Sequence, residues 1–407
     1  MDYNTNINQI VNEIFFALDK DKSKSDISLM EGTPGVILFL YFYSIAYNDN
    51  HAKNQYEKKL NKLLKDFNDD SGELKYTYCD GLIGFLTFLN FIGAKNNEYS
   101  GLIDESFEDS IYEIMMSDLK KKEYDFLHGA LGAFNYYLIK FKYCENDNER
   151  AKIKGILGEG LKILDEISYN SAGDFGWNYP IYDDPRFKDK ICINMGLAHG
   201  TPGVLAILCD LHRIKIDTVL TEKLIYKICS FLISKRSTDL SSYSQFPFYY
   251  SPALSLPYDS PLAWCYGDLS VATALFKAGH ILNDESIKDN AISIAQTTTH
   301  RKSVKQTSIF DSSFCHGTSG IAFLYQVFYK HTNKQEFKVA KDYWIEKTIE
   351  YSSFKSEGIA GFRTYAGEDH WGRSIGLLKG VSGIGLVLLG LLFEETEWSG
   401  FLLLDNV

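Results

Sequence analysis

The sequence lacks long apolar runs, an excess of basic residues and a regular cysteine framework. Its longest apolar runs, such as Val36 to Tyr43 and Ile384 to Phe393, are too short to span a bilayer. The polar start Met-Asp-Tyr-Asn does not resemble a secretion signal. A net charge of −11 without a clustered Lys/Arg patch argues against nucleic acid as a partner. The seven scattered cysteines are typical of reduced thiols, so we expect a cytoplasmic protein.

The chain of 407 residues does contain a repeated glycine pair. Six Gly-x-x-Gly pairs each precede an apolar stretch, and a seventh copy has Ser270 in place of its second glycine. The first glycines of the seven copies are Gly32, Gly81, Gly129, Gly200, Gly267, Gly317 and Gly380. Each copy opens an apolar stretch of about a dozen residues with almost no charge, which predicts a helix buried on most sides.

Between the apolar stretches lie segments with charge on one face, which predict amphipathic helices. The clearest are Ala52 to Phe67, Asn148 to Ile167, Asp217 to Ser234, Glu285 to Thr297 and Gln335 to Tyr351. Seven units of two helices each favour an all-α fold, a closed α/α toroid with about seven inner and seven outer helices. An open solenoid is the alternative, but it would leave apolar helices exposed at its ends. The glycines themselves are consistent with a purely architectural role.

Three long spacers precede the fourth, fifth and seventh glycine turns. Residues 168–198, 240–262 and 354–378 are rich in turn-forming residues and predict loops. Such loops at one end of a ring could form the walls of a substrate cleft, or could be surface padding.

Two of the glycine turns carry residues that suit a metal. Trp264-Cys265-Tyr266-Gly267 and Phe314-Cys315-His316-Gly317 together offer two thiols and one imidazole, with the cysteines 50 residues apart, about one repeat. This donor set suits zinc with one coordination position left open. Cysteine is also a common small core residue, and Cys209 and Cys229 lie in helical patterns typical of core positions.

These two motifs, Asn194-Met-Gly-Leu-Ala-His199-Gly-Thr-Pro-Gly203 and the closing segment Leu377 to Gly385 resemble the lanthionine synthetase C-like family of lanthipeptide cyclases. The resemblance covers the whole chain, so we expect a single domain over residues 1–407. It implies an α/α toroid and one Zn²⁺ per chain, held by Cys265, Cys315 and His316.

Enzymes of this family add a peptide cysteine thiol to a dehydroalanine or dehydrobutyrine of the same peptide, which forms a thioether ring. Zinc favours the thiolate, and an acid must then protonate the enolate. The resemblance implies that His199 transfers this proton. Tyr266 either assists at the enolate oxygen or only packs. Asp125 matches an acidic position of the family and either orients His199 or caps a helix.

One position departs from the family pattern. Many members carry an arginine four residues before the first zinc cysteine, where this chain has Pro261. Either another cation, such as Arg373 or Lys379, replaces it, or the role is not essential. Three further residues near the glycine turns are weaker candidates for lining the cleft: His128, His370 and Trp371.

Three functions therefore stay open. The first is a cyclase acting on a dehydrated precursor peptide beside a dehydratase and an exporter, in the cytoplasm or peripheral to the membrane through those partners. The second is a relative that adds or binds glutathione, and the third is a non-catalytic scaffold. The intact set of Cys265, Cys315 and His316 argues against the scaffold, while the sequence does not separate the first two functions.

Overall fold

A computed structural model describes residues 3–69, 74–99, 101–103, 105–239, 241–354 and 356–405. The chain divides into two compact units, one of residues 1–85 and 309–402 and the other of residues 86–308 and 403–407. Two predicted loops, 240–262 and 354–378, each contain one residue outside the described part, Leu240 and Lys355.

The described residues form fourteen helices of 13 residues or more and one single-turn helix. In chain order they are α1 (Tyr3–Asp19), α2 (Thr33–Ala46), α3 (Asn50–Asp69), α4 (Leu82–Lys95), α5 (Glu105–Lys121), α6 (Ala130–Tyr143), α7 (Asp147–Glu166), α8 (Thr201–Arg213), α9 (Thr218–Ser234), α10 (Asp268–Ile281), α11 (Glu285–Thr298), the single turn α12 (Val304–Thr307), α13 (Thr318–Thr332), α14 (Gln335–Tyr351) and α15 (Val381–Phe393). Short 3₁₀ turns cover Asn97–Tyr99, Pro185–Phe187 and Glu397–Leu402.

Each of the seven glycine turns is followed directly by an apolar helix. The helices α2, α4, α6, α8, α10, α13 and α15 all begin at the residue after the first glycine of a copy. Helix α15 is buried from Val381 to Gly390, whereas amphipathic α3 buries only Ala52, Tyr56, Leu60 and Leu63. That spacing of three and four residues places the four side chains on one helical face. The predicted alternation of apolar and amphipathic helices is therefore confirmed.

The glycines are needed because each helix start packs against the loop that precedes it. A Cβ at Gly200 would lie 2.1 Å from the carbonyl oxygen of Asn194, and one at Gly203 would lie 2.3 Å from that of Leu197. Gly267 also has a φ of +95°, and a Cβ there would lie 1.8 Å from the carbonyl oxygen of Pro261. Only glycine combines this conformation with such a close approach. The close approach of each of these glycines is therefore to the loop that precedes its own helix.

In the unit of residues 1–85 and 309–402, three apolar helices form the core. Helix α15 contacts both α13 and α2, while amphipathic α14 packs on α13 and α3 packs on α2. Helix α1, which the sequence pattern did not predict, covers α15. The first helix of the chain thus shields its last long apolar helix.

The unit of residues 86–308 and 403–407 is built in the same way. Apolar α8 contacts α6 and α10, and amphipathic α9 and α11 pack on α8 and α10. Helix α6 is covered by α7 and by α5, a second helix that the sequence pattern did not predict.

The three long spacers contain no helix beyond a single 3₁₀ turn among their described residues, which confirms them as loops. Three short antiparallel pairs stiffen them, joining β1 (Tyr169–Ser171) to β2 (Asp174–Gly176), β3 (Ile193–Asn194) to β4 (Tyr249–Tyr250), and β5 (Thr364–Tyr365) to β6 (Trp371–Gly372). No described helix has both the length and the apolar character needed to cross a membrane. None of the seven cysteines forms a disulfide, and Cys209 and Cys229 are buried core residues, as predicted.

Candidate metal centre and active site

Backbone hydrogen bonds link the glycine turns at equivalent positions, two residues before the first glycine. The N–H of Cys315 donates to the carbonyl of Leu378 (2.9 Å), and the N–H of Leu378 donates to that of Met30 (2.8 Å). In the other unit, the N–H of Ala198 donates to the carbonyl of Cys265 (3.3 Å). Both predicted zinc cysteines therefore occupy the same place in the repeat.

The turn of residues 264–267, here the Cys265 turn, is fixed at the start of α10 by a buried ion pair. The carboxylate of Asp268 accepts hydrogen bonds from the N–H groups of Gln245 (2.8 Å) and Phe246 (3.0 Å) and from the Nη1 of Arg301 (3.0 Å). Arg301 also donates to the carbonyl of Ser260 (2.7 Å). Because Asp268 and Arg301 are both buried, removing one would leave an unpaired charge in the core. The pair joins the Cys265 turn to the loop of residues 241–262.

Tyr266 is held in place by the loop that precedes α8. The buried Asn194 donates from Nδ2 to the hydroxyl oxygen of Tyr266 (3.0 Å) and accepts from the N–H of Gly196 (2.9 Å). A Cβ at Gly196 would lie 2.6 Å from both the carbonyl oxygen of Cys265 and the Tyr266 ring. Burial raises the pKa of the Tyr266 hydroxyl well above its ordinary value. This hydroxyl is therefore a neutral donor at physiological pH.

Asp125 and His199 form a close polar pair beside Tyr266. The Nδ1 of His199 lies 2.6 Å from Oδ2 of Asp125, and Oδ1 of the same carboxylate accepts from the N–H groups of Leu127 (2.7 Å) and His128 (2.9 Å). The two backbone hydrogen bonds hold the Asp125 carboxylate in place. The carboxylate in turn orients the His199 imidazole, with the proton on Nδ1 and with Nε2 directed away from Asp125. Gly129 is the N-cap of α6, so Asp125 stabilises the turn before the helix without capping it.

Two competing effects set the pKa of His199. Burial lowers it, but the hydrogen bond to Asp125 and the negative charges of Asp125 and Cys265 outweigh this, so the pKa lies above the ordinary value of 6.5. The stabilisation from the pair is fully present below the pKa of the unfolded state and is lost as pH rises through the higher folded-state value. The rings of His128 and Tyr266 both stack on that of His199, with centroid distances of 6.1 Å and 5.7 Å.

Replacing Asp125 by asparagine is expected to lower the pKa of His199, because the larger of the two negative charges that offset burial is then removed. An NMR titration of the histidine Cε1–H signals measures this, with His199→Gln assigning the resonance. Asp184→Asn, which changes an exposed carboxylate bonded to Arg186, is the matched control and should leave the pKa of His199 unchanged. An unchanged His199 titration in Asp125→Asn would contradict the assigned role of the pair.

The turn of residues 314–317, here the Cys315 turn, is anchored by aromatic packing. The buried Phe314 packs edge-on against Trp398 (5.5 Å between centroids), which is itself fully buried. The hydrogen bond from the Cys315 N–H to Leu378 holds the backbone on the other side. Cys315 is 7% exposed and His316 is half-buried, so both side chains come from a rigid, partly covered turn.

The predicted ligands stand on turns at equivalent places in the repeat. Cys315 and His316 are neighbours on the Cys315 turn of one unit, and Cys265 lies on the Cys265 turn of the other. Two thiols and one imidazole are the donor set of a zinc site with one open position. That the three residues hold one zinc ion stays a prediction.

The remaining candidates have varied surroundings. His128 is exposed and stacks on His199, while Trp371 lies in β6 against Tyr365 and Arg363. His370 donates its backbone N–H to the Gly367 carbonyl, and its side chain is exposed.

Both proposed substitutes for the missing arginine lie in the unit of residues 1–85 and 309–402. Arg373 donates to the carbonyls of Glu357 (2.9 Å) and Ser356 (3.1 Å). Burial raises the pKa of the Glu31 carboxyl, and the positive charge of Lys379 offsets part of that rise. That Arg373 or Lys379 supplies the positive charge that Pro261 lacks stays a prediction.

Sequence reasoning missed two supporting residues. Asn194 stands inside the motif that ends at Gly203, and its spacing of two residues from Gly196 was the available signal. Arg301 offered no sequence signal, because its partners Asp268 and Ser260 are 33 and 41 residues away.

Comparison with known proteins agrees with this architecture. A family model for lanthionine synthetase C-like proteins matches residues 23–403, and the chain belongs to that family. The nisin biosynthesis protein NisC of Lactococcus lactis subsp. lactis is 23% identical over 410 residues, which cover 94% of this chain and 90% of that protein. The solved structure of a nisin cyclase superposes with a TM-score of 0.73 at 19% identity, covering 99% of this chain and 97% of that one. The predicted all-α toroid is thereby confirmed.

Proposed function

We propose that this protein is a zinc-dependent lanthipeptide cyclase. It adds cysteine thiols of a dehydrated precursor peptide to dehydroalanine or dehydrobutyrine residues of the same peptide and so forms (methyl)lanthionine thioether rings. The observation that carries this proposal is the Asp125–His199 pair stacked on Tyr266, directly after Cys265, in a member of the lanthionine synthetase C-like family.

The donor set supports the zinc assignment. In the proposal one zinc ion per chain is held by Cys265, Cys315 and His316, two thiols and one imidazole that occupy equivalent turns of the repeat. When bound, zinc would lower the pKa of a substrate thiol in the position that these three ligands leave open. A set of two protein thiolates leaves more electron density on such a sulfur than a set of histidines would.

The remaining chemistry falls to the chain's own side chains. The addition forms a bond between the cysteine sulfur and the β-carbon, opens the carbon–carbon double bond, and places a proton on the α-carbon. His199 is suited to deliver that proton, because its Nδ1 is held by Asp125 and its Nε2 is free to carry a transferable proton. The Tyr266 hydroxyl, which accepts from Asn194, can donate its own hydrogen to the enolate oxygen.

Incubation of the zinc-loaded protein with a dehydrated peptide that contains cysteine is expected to remove the free thiol without changing the peptide mass. The thiol disappears because its sulfur becomes part of a thioether. The mass stays the same because the addition is intramolecular and no atom is gained or lost. Thiol labelling and mass spectrometry before and after incubation measure the two quantities.

The same assay separates the competing function. Adding glutathione to the reaction should leave the product mass unchanged for a cyclase, whereas a mass increase by one glutathione would favour the glutathione-adding alternative. Persistence of the thiol with every dehydrated precursor tested, in a protein that carries zinc, would contradict both enzymatic functions.

The proposal includes the setting of the reaction. A dehydrated peptide must be supplied by a dehydratase, and the finished product must be exported, so we propose a complex with both. The reduced state of all seven cysteines is consistent with action in the cytoplasm, or at the membrane surface through such partners.

A further inference from the structure

A cluster of aromatic rings adjoins Tyr266. The ring centroid of Phe248 lies 5.3 Å from that of Tyr266, and the Tyr249 centroid lies 6.4 Å from it. Tyr179 belongs to the same cluster, stacked on Tyr249 at 6.1 Å. We call Tyr179, Phe248 and Tyr249 the aromatic surface. The aromatic surface adjoins Tyr266, whose ring stacks on His199, and it is therefore continuous with the candidate active site.

The backbone beneath the aromatic surface is rigid. Asn194 and Tyr249 are paired in the β3–β4 ladder, and the N–H of Met195 donates to the carbonyl of Phe248 (3.0 Å). The N–H of Tyr179 donates to the carbonyl of Cys192 (2.7 Å). The ladder strand also carries Asn194, which holds Tyr266, so the surface and the active-site tyrosine share one support. Rings fixed in this way bind a ligand with little loss of their own conformational entropy.

The surface is aromatic and partly exposed. Phe248 is 36% exposed, although it follows the fully buried Phe246, whose N–H is bonded to Asp268. Tyr179 and Tyr249 are half-buried, and their closest ring contacts in this region are with other aromatic rings. An exposed phenylalanine on a fixed loop beside a reactive centre is typical of a contact for substrate, because it gains by being covered.

We propose that the aromatic surface binds apolar side chains of the substrate peptide beside the reacting residues, and so determines which peptide segments are presented to the active site. The inference rests on the proposed cyclase function and adds the preferred class of flanking sequence. From Tyr266 to Tyr249 and on to Tyr179 the steps are 6.4 Å and 6.1 Å. An extended peptide advances about 3.3 Å per residue, so each step between neighbouring rings corresponds to about two residues.

Binding of unreactive peptides tests the proposal without requiring catalysis. The probes are two ten-residue peptides with serine in place of the reacting cysteine and alanine in place of dehydroalanine. One carries leucine and valine at the flanking positions, and the other carries aspartate and serine. Calorimetry on the zinc-loaded protein should show tighter binding of the apolar peptide, and Phe248→Ala should weaken that binding about tenfold, as expected for loss of a phenylalanine contact.

Three controls sharpen the result. Phe248→Leu should recover most of the affinity, and Phe16→Ala, which removes another exposed phenylalanine, should not change it. Thermal unfolding of Phe248→Ala should match that of the wild type. Equal binding of both peptides, no binding of either, or an unchanged affinity in Phe248→Ala would overturn the inference. A wild-type dimer that Phe248→Ala dissociates would also overturn it, since the surface would then bind a second copy.

Failure of the inference differs from failure of the proposed function. If the wild type cyclises dehydrated peptides but binds both unreactive probes equally, only the aromatic surface is misassigned. If the wild type binds the apolar probe through Phe248 and leaves all thiols free, the cyclase function fails instead.

Discussion

Replacing Cys315 by alanine is expected to reduce bound zinc from about one ion per chain to a small fraction and to abolish thiol consumption. The change removes one of the three zinc ligands that we propose. Loss of a direct ligand should weaken zinc affinity by more than the roughly 10- to 100-fold that changes around a metal site produce. The turn itself should persist, because Phe314 and the backbone bond to Leu378 hold it. Metal analysis after dialysis, together with thiol labelling of a dehydrated peptide, measures both effects.

The repeat supplies a matched control for this experiment. Cys79 lies two residues before Gly81, the position that Cys315 holds before Gly317, and its carbonyl accepts a backbone bond from Met30 (3.1 Å). Cys79→Ala should retain both zinc and activity, and Cys265→Ala should behave like Cys315→Ala. Full zinc content in Cys315→Ala would rule out the ligand set that we propose.

His199→Ala should keep its zinc while the rate of ring closure falls by about 10²- to 10⁴-fold, the usual contribution of a general acid or base. Zinc is retained because His199 is not one of the three ligands that we propose. The activity falls because the variant lacks the imidazole that the Asp125 carboxylate orients. Single-turnover rates with a dehydrated peptide, combined with metal analysis of the same sample, test the two parts together.

A histidine in the helix that follows His199 provides the control. His212 in α8 bonds through Nδ1 to the hydroxyl of Thr221 (2.9 Å), and His212→Gln should leave the rate unchanged. If His199→Ala loses its zinc, His199 supports the metal site structurally. If it keeps both zinc and rate, another group supplies the proton.

Much of the architecture could be predicted because it depends on local rules. A glycine at a helix start is dictated by contact with its own preceding loop, as at Gly200 and Gly267, and this leaves a mark at fixed spacing. Burial of a whole helix removes charge from it, so α15 was predictable from its composition. Helices α1 and α5 were missed, although both pack on an apolar helix in the same way as the amphipathic helices that were predicted.

The candidate site could be predicted only in part. The family resemblance named His199 and Asp125, but their 74-residue separation along the chain gives no sequence rule for a 2.6 Å contact. Asn194 and Tyr266 are 72 residues apart, and Arg301 reaches Asp268 from 33 residues away. Such contacts depend on how loops of unequal length pack between helices.

The sequence by itself determined where the seven apolar helices begin, that they alternate with amphipathic ones, and which turns carry thiols and imidazoles. Those properties follow from glycine placement and hydrophobic periodicity, which act within a few residues. Only the tertiary structure decided that the carboxylate of Asp125 fixes His199, that a buried asparagine positions Tyr266, and that Phe248 stands exposed beside it. The physical reason is that hydrogen bonds and ring contacts require atoms within a few ångströms, a condition set by packing and not by spacing along the chain.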